Sequence, residues 1–248
     1  MIKGLTFDDT LLIPKWSNIV SRTDCSTHSY FSRNVRMNIP IVSANMRTVT
    51  DPNMCNAMAL AGGLGILHRA HKTLDEWKKD IDKFDAKQFD LDQYGISIGV
   101  NSDILYWKDM LDYCYNFNKL NAPRPRVVVI DVAHAGNRLV YEFVQEIVWY
   151  RTDLNKNMRF DIVVGNIATA EAAARYKELD IDGIKVGVGP GAACTTRIKT
   201  GCGVPQLSAI MEVARMLKHS DIKLIADGGV KEPGDVVKAL AAGADAYQ

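Results

Sequence analysis

A chain of 248 residues, 47% hydrophobic and 24% charged, has the composition of a folded domain and excludes disordered, collagenous and coiled-coil classes. Lys and Arg number 30 against 29 Asp and Glu, a net charge of +1 with no block of like charge, which argues against nucleic acid as a partner. No apolar run approaches the roughly 20 residues that cross a bilayer. The opening MIKGLTFDDT carries acid where a signal peptide carries an apolar stretch, so a cytoplasmic chain without a membrane partner is expected. Five cysteines with no CxxC pair read as reduced thiols.

In chain order, residues 1–38 form an N-terminal extension with turn signals at Pro14 and Ser17-Asn18. Short apolar, β-branched runs then recur: IPIVSA from Ile39, LGILH from Leu64, GISIGV from Gly95, RVVVIDV from Arg126, FDIVVGN from Phe160, GIKVGV from Gly183 and IKLIADGG from Ile222. Each reads as a buried parallel strand. Helical patterns separate them, such as Leu207, Ile210, Met211, Ala214 and Leu217 behind Pro205, and Val236, Val237 and Leu240 before Gly243. The even stride, roughly 30 residues per βα unit, predicts a TIM (β/α)8 barrel over residues 39–248 rather than an open doubly wound sheet. The eighth run starts at about Ala244, so the barrel is expected to be incomplete at its C-terminus, cut within or just after strand eight.

Barrel sites are built from loops at the C-terminal ends of the strands. The richest follows the run from Gly183: GVGPGAACTTRIKTGCGVPQLSA, where Gly187, Gly189 and Gly191 allow close backbone approach to a ligand. Cys194 sits in this loop beside Thr195, Thr196 and Arg197 and is placed like a nucleophile, since a neighbouring cation and loop amides favour the thiolate. Cys25, Cys55 and Cys114 read as buried, inert thiols. Asp227-Gly228-Gly229, ahead of a helix near Pro233-Gly234-Asp235, reads either as a phosphate cradle of backbone N–H groups or as a plain turn. Asp131 reads either as an acceptor for a ribose diol or as a helix cap. His68, His71 and His134 read as ordinary loop histidines, no pair having ligand spacing with a third donor nearby. Tyr106, Trp107, Tyr113, Tyr115 and Phe117 read as a barrel-facing helix surface rather than a base-stacking platform.

Several of these strings together resemble the IMP dehydrogenase and GMP reductase family, in family order and over essentially the whole chain: FDDTLLIP, SANMRTVT, GGLGILHR, GNIATAEAA, the cysteine loop, ADGG and ALAAGADA. KTGCGVPQLSA, and the lack of room between His68 and Gly95 for a tandem regulatory insert, resemble the reductase branch, whereas GNIATAEAA and ALAAGADA resemble bacterial dehydrogenases. The resemblance implies that Cys194 attacks C2 of a purine nucleoside monophosphate to form a thioimidate, that Thr196 handles a proton, and that a nicotinamide cofactor exchanges hydride at C2. It implies substrate contacts from Asp227, Gly228, Gly229, Ala192, Asn166 and Met46, and a cofactor site of Asp131, Val132, Ala133, Arg69, Val188 and Gly189, with Ser21 and Arg22 entering from a neighbouring subunit of a homotetramer. It further implies a monovalent cation, K+, held by Gly189, Gly191, Cys194 and Arg197.

GMP reductase with NADPH is the expected activity. IMP dehydrogenase with NAD is the alternative, and a nucleotide-binding or subunit-interacting member without turnover is a third of another class. Three positions depart from the family pattern: Ala192 where serine is usual, Arg47 where aspartate is usual, and a mobile flap and second set of phosphate glycines that are expected only beyond Gln248.

Overall fold

The computed structural model describes residues 4–84, 93–100, 104–115, 124–153 and 158–248. Eight parallel strands form one sheet: β3 (Val42–Ser43), β4 (Leu64–Leu67), β5 (Tyr94–Ile98), β6 (Val127–Asp131), β7 (Asp161–Ile167), β8 (Gly183–Val186), β9 (Lys223–Ala226) and β10 (Ala246–Tyr247). They are hydrogen-bonded in sequence order, and a parallel bridge between Ile41 and Tyr247 brings the last strand back to the first. The ring is therefore nearly closed, as the even stride of βα units predicts. Strands β4 to β8 are buried almost throughout, the pattern of a sheet covered on both faces.

Helices separate the strands: α1 (Pro52–Leu60), α2 (Leu74–Asp82), α3 (Ile104–Tyr115), α4 (Arg138–Thr152), α5 (Ala170–Tyr176), the short α6 (Thr196–Thr200), α7 (Gln206–Leu217) and α8 (Pro233–Ala241). Their starts are written in the loops. Asp51, Thr73, Asn137 and Thr169 each accept a backbone N–H three residues on with a side-chain oxygen, satisfying donors that the first turn leaves free. In α7 the expected apolar face is observed, with Leu207, Ile210 and Leu217 buried. Helix α3 turns Trp107 and Tyr115 into the core, as read for the aromatic stretch; Phe117 lies outside the described residues.

The first 38 residues do more than precede the barrel. Leu5 exchanges hydrogen bonds with Ser208 on α7, and Phe7 is buried. A hairpin of β1 (Ser29–Ser32) and β2 (Val35–Met37) then presents Phe31, Val35 and Met37 to the barrel interior, where they pack with Val42, Leu64, Ile66, Val127, Val129, Val163 and Ile225. Ties to residues just ahead of the strands fix which end it covers: Arg33 N–H donates to Asp182 O at 3.1 Å and Asn34 N–H to Asp161 Oδ2 at 2.8 Å. The hairpin plugs the barrel floor. The opposite end, where the strands finish, stays open. Turn signals alone gave no sign of this hairpin.

Candidate active site at the barrel mouth

Inward-facing positions alternate along each strand. One step above the apolar layer of Val129, Val163 and Ile225 come Asp131, Gly165 and Asp227, and β8 contributes Lys185 at the same level, paired in register with Gly165 and Ile225. The Lys185 ammonium lies 2.9 Å from Asp227 Oδ2 and 3.3 Å from Asp131 Oδ1. Arg69, from the loop after β4, places Nε 3.2 Å from the other oxygen of Asp131. Burial alone would raise the Asp131 carboxyl, but Lys185, a hydrogen bond from Asn45 and Arg69 together outweigh it and hold the group below its ordinary value. The same two aspartates sustain the ammonium form of Lys185 against complete burial.

Asp131 is thus a mouth residue and not a helix cap; α4 is capped by Asn137. Asn166 Nδ2 donates to Asp227 Oδ2 at 2.7 Å and to Gly187 O at 2.6 Å, while its buried Oδ1 has no partner among the described residues. Gln206 Nε2, also buried, donates to the carbonyls of Val186 and Asp227.

The cysteine loop spans β8 and α7. Gly187, at φ 150°, passes so close to β9 that a Cβ would lie 2.1 Å from Asp227 O. Pro190 and Gly191 rest on Gly228 and Gly229: a Cβ on Gly228 would lie 3.1 Å from Gly191 N. Cys194 is exposed at the loop tip, its N–H donating to Gly191 O. The thiol donates to Thr196 Oγ1 at 3.1 Å. As a thiolate it accepts from that hydroxyl and from the Thr196 backbone N–H, and these two contacts, with Arg197 nearby, lower the thiol below its ordinary value. Cys55 is the contrast: burial pushes it up to about 12. Cys25 and Cys202 are exposed and Cys114 is buried, so the inert reading for Cys25 does not extend to burial.

Asp227 meets Asn166, and Gly228 and Gly229 lie against Pro190 of the cysteine loop, but the helix ahead does not supply its N-terminus to them. The first turn of α8 is already held by Asp235, whose Oδ2 accepts from Lys231 and Glu232, and the Gly228 N–H donates to Gln248 O. Ala192 is exposed in the same loop, and Met46 is half exposed in the loop after β3. Arg69, Val132 and Ala133 line a cavity of about 280 Å³ that shares His134 and Asn137 with a neighbouring cavity of about 520 Å³. Val188 is buried below the cysteine loop. Ser21 and Arg22 stand apart, in a fully exposed segment.

The histidine reading needs one correction. Asp80 of α2 supplies the third donor that the sequence did not reveal: His71 Nε2 lies 2.9 Å from Asp80 Oδ2, and the His68 ring stacks on His71 at 4.3 Å. The ligand atoms of the three lie within 4.8 Å of one another, with His68 Nδ1 accepting from the Ala70 N–H and His71 Nε2 already paired to Asp80.

Lys185, Asn45 and Gln206 were the site residues that sequence reasoning missed. A lysine inside the otherwise apolar GIKV was the available signal.

An eight-stranded βα ring with a low-pKa cysteine and two aspartates facing one mouth defines a barrel enzyme whose chemistry sits on its strand-end loops. The family model for the IMP dehydrogenase / GMP reductase domain matches residues 4–247, and the chain belongs to that family of NAD(P)-dependent purine nucleotide oxidoreductases. It is 32% identical to the inosine-5'-monophosphate dehydrogenase of Borreliella burgdorferi, over 98% of this chain and 68% of that protein. Against the Cryptosporidium parvum dehydrogenase the identity is 34%, over 98% and 66%. A GMP reductase from Leishmania donovani is 30% identical, over 98% and 73%.

Proposed function

We propose that the chain reduces GMP to IMP and ammonia with NADPH. The observation that carries a C2 chemistry is the Cys194–Thr196 pair, 3.1 Å apart at an exposed loop tip over the mouth. The Cys194 thiolate forms a bond to C2 of the guanine ring and the C2–N bond breaks, ammonia leaving with a proton that Thr196 Oγ1 can pass. A bound nicotinamide cofactor would supply the hydride at C2; cleavage of the bond from C2 to the Cys194 sulfur then releases IMP and regenerates the thiolate.

The chain's own residues do the holding. Asp227 and the unpartnered Asn166 Oδ1 suit the donor hydroxyls of a ribose, with Gly229 and Ala192 offering backbone N–H groups to its phosphate, Gly228 holding the tight turn beneath them, and Met46 offering apolar surface to its base. Asp131 suits the cofactor ribose, beside the cavity walled by Arg69, Val132 and Ala133, with Val188 and Gly189 below. The carbonyls of Gly189, Gly191 and Cys194, uncharged hard oxygens in one tight loop, suit K+. Arg197 contributes to that cage through its backbone, because its guanidinium is spent on the carbonyls of Val188 and Val204.

Leu11, Ile13, Trp16 and Val20 are strongly exposed, Trp16 at 94%. So long an apolar strip supports an arm that packs on another copy and carries Ser21 and Arg22 into its site, as in a homotetramer. Five cysteines with no CxxC pair support the cytoplasmic reading; no helix among the described residues is long and apolar enough to cross a membrane.

The reductase branch rests on the loop KTGCGVPQLSA and on the short passage from β4 to β5. The dehydrogenase reading has its own support, the relatives at 32% and 34% identity. One paired assay decides between them: NADPH oxidation with GMP and NAD reduction with IMP. GMP-dependent oxidation is expected; IMP-dependent reduction instead selects the dehydrogenase. Saturable nucleotide binding with neither turnover selects a binding protein.

A further inference from the structure

Lys185 has no part in the chemistry of Cys194, yet it is the most enclosed charge in the mouth, its side chain 3% exposed. A lone ammonium there would lose its hydration without return. Instead its three N–H groups meet three oxygens: Asp227 Oδ2 at 2.9 Å, Asp131 Oδ1 at 3.3 Å and Asn45 Oδ1 at 3.4 Å. These come from β9, β6 and the loop after β3, so one cation joins three parts of the barrel rim. Gly165 makes the room, since a Cβ there would lie 2.5 Å from the Lys185 Cβ. Nothing about stability alone calls for such an arrangement, because buried ion pairs are often no more stabilising than apolar packing.

We propose that Lys185 is a positioning residue shared by both nucleotide sites: its single ammonium holds Asp131 to the cofactor side and Asp227 to the substrate side, so neither ribose acceptor is set independently of the other. The inference rests on the assignment of those two aspartates given above. Their dependence on Lys185 is unequal. Asp131 keeps a second cation, Arg69, whereas Asp227 keeps only the neutral Asn166 amide. Without Lys185, Asp227 loses its only cation within ion-pair distance among the described residues and is no longer held toward the substrate side.

The charged and titratable groups facing this ammonium are Asp131, Asp227, Arg69 beyond Asp131, and Cys194 beyond Asp227. The test is calorimetric titration of the whole chain with IMP and with NADP+, in wild type, Lys185→Met and Lys185→Arg, each checked by thermal melting. Lys185→Met is expected to weaken both ligands at least tenfold. Lys185→Arg, which keeps the charge, is expected to restore both affinities to within a few-fold.

A Lys185→Met chain that binds both ligands like wild type, or a Lys185→Arg chain that binds them as weakly as Lys185→Met, overturns the proposal while leaving the nucleotide reading intact. No saturable binding of either ligand by wild type overturns the nucleotide reading itself. Should Lys185→Met not fold, Asp227→Asn carries the same question: it frees Lys185 to neutralise Asp131, and NADP+ affinity is expected to fall at least threefold although Asp227 serves the substrate side. An unchanged NADP+ Kd in that variant overturns the proposal.

Discussion

Arg197 Nε donates to the carbonyl of Val188 at 3.0 Å, tying the start of α6 back to the end of β8. Its Nη2 donates to Val204 O at 2.5 Å, so one fork clasps both feet of the cysteine loop. Gly189 and Gly203 make room for the side chain; a Cβ at Gly189 would lie 2.8 Å from Arg197 Cγ and one at Gly203 2.6 Å from its Nε. Lysine has a single ammonium and cannot span both carbonyls. Arg197→Lys is therefore expected to free the loop, with proteolytic nicking between residues 189 and 203 at least tenfold faster than in wild type. Each charge-assisted bond lost is worth roughly 1.5–3 kcal/mol. Equal nicking rates would remove Arg197 from this role.

Cysteine reactivity separates the five thiols. Cys194, exposed and lowered by Thr196, is expected to react with iodoacetamide faster than the exposed Cys25 and Cys202, while buried Cys55 and Cys114 stay unlabelled. A lowered thiol shows its rate inflection at a pH below the ordinary thiol value. Thr196→Val removes the hydroxyl and should move that inflection upward, with a rate at pH 7 several-fold lower. GMP should protect Cys194 alone. Mass spectrometry after brief labelling reads all three effects, and equal labelling of Cys194 and Cys202 contradicts the nucleophile assignment.

At Gly187 the constraint is steric. An added Cβ at φ 150° would lie 2.1 Å from Asp227 O, and Gly187 O is also an acceptor for Asn166. Gly187→Ala is expected to displace both substrate-side residues, weakening IMP binding at least tenfold and costing about 1–3 kcal/mol of stability from overpacking. Titration calorimetry and urea unfolding measure the two consequences on one sample.

The acid limb of stability follows from Asp131. Its carboxyl, against an ordinary 3.8, is raised by burial but lowered more by Lys185, Asn45 and Arg69 together, for a net downward shift. A carboxyl that is lower in the folded than in the unfolded chain contributes stability that is complete above the unfolded value. That contribution disappears as the pH falls through the folded value. Wild type is thus expected to lose stability below about pH 4, and Asp131→Asn to show a shallower loss. Urea midpoints at pH 3, 4 and 5 give the comparison, and identical acid limbs would exclude Asp131 as a contributor.

Much of this architecture was legible in the sequence, because a buried parallel strand writes itself as an unbroken β-branched run. Gly183–Val186 and Lys223–Ala226 fall inside the runs read from Gly183 and Ile222. Cys194 was also legible, since a cysteine among glycines and threonines has no apolar face to occupy. The hairpin plug was not: Phe31, Val35 and Met37 carry too few residues for a period, and their burial is decided by a barrel floor assembled from distant strands. Lys185 was hidden for the opposite reason. Its partners Asp131 and Asp227 lie on other strands, and only the closed ring brings them within 3.3 Å. Asp80 reached His71 in the same way, through a helix folding back over its own loop.

The bridge between Ile41 and Tyr247 is where the ring shuts. Tyr247 N–H donates to Pro40 O at 2.9 Å, and Gln248 Nε2 donates to Ser43 O across 205 residues of chain. Pairing of β3 through β10 in sequence order leaves these contacts to join the two edges of the sheet, so their protection from exchange reports closure itself. Amide exchange at Tyr247 and Gln248 then reports a local breathing motion of the barrel, while the amides of β6 and β7, paired over five positions, report its global unfolding.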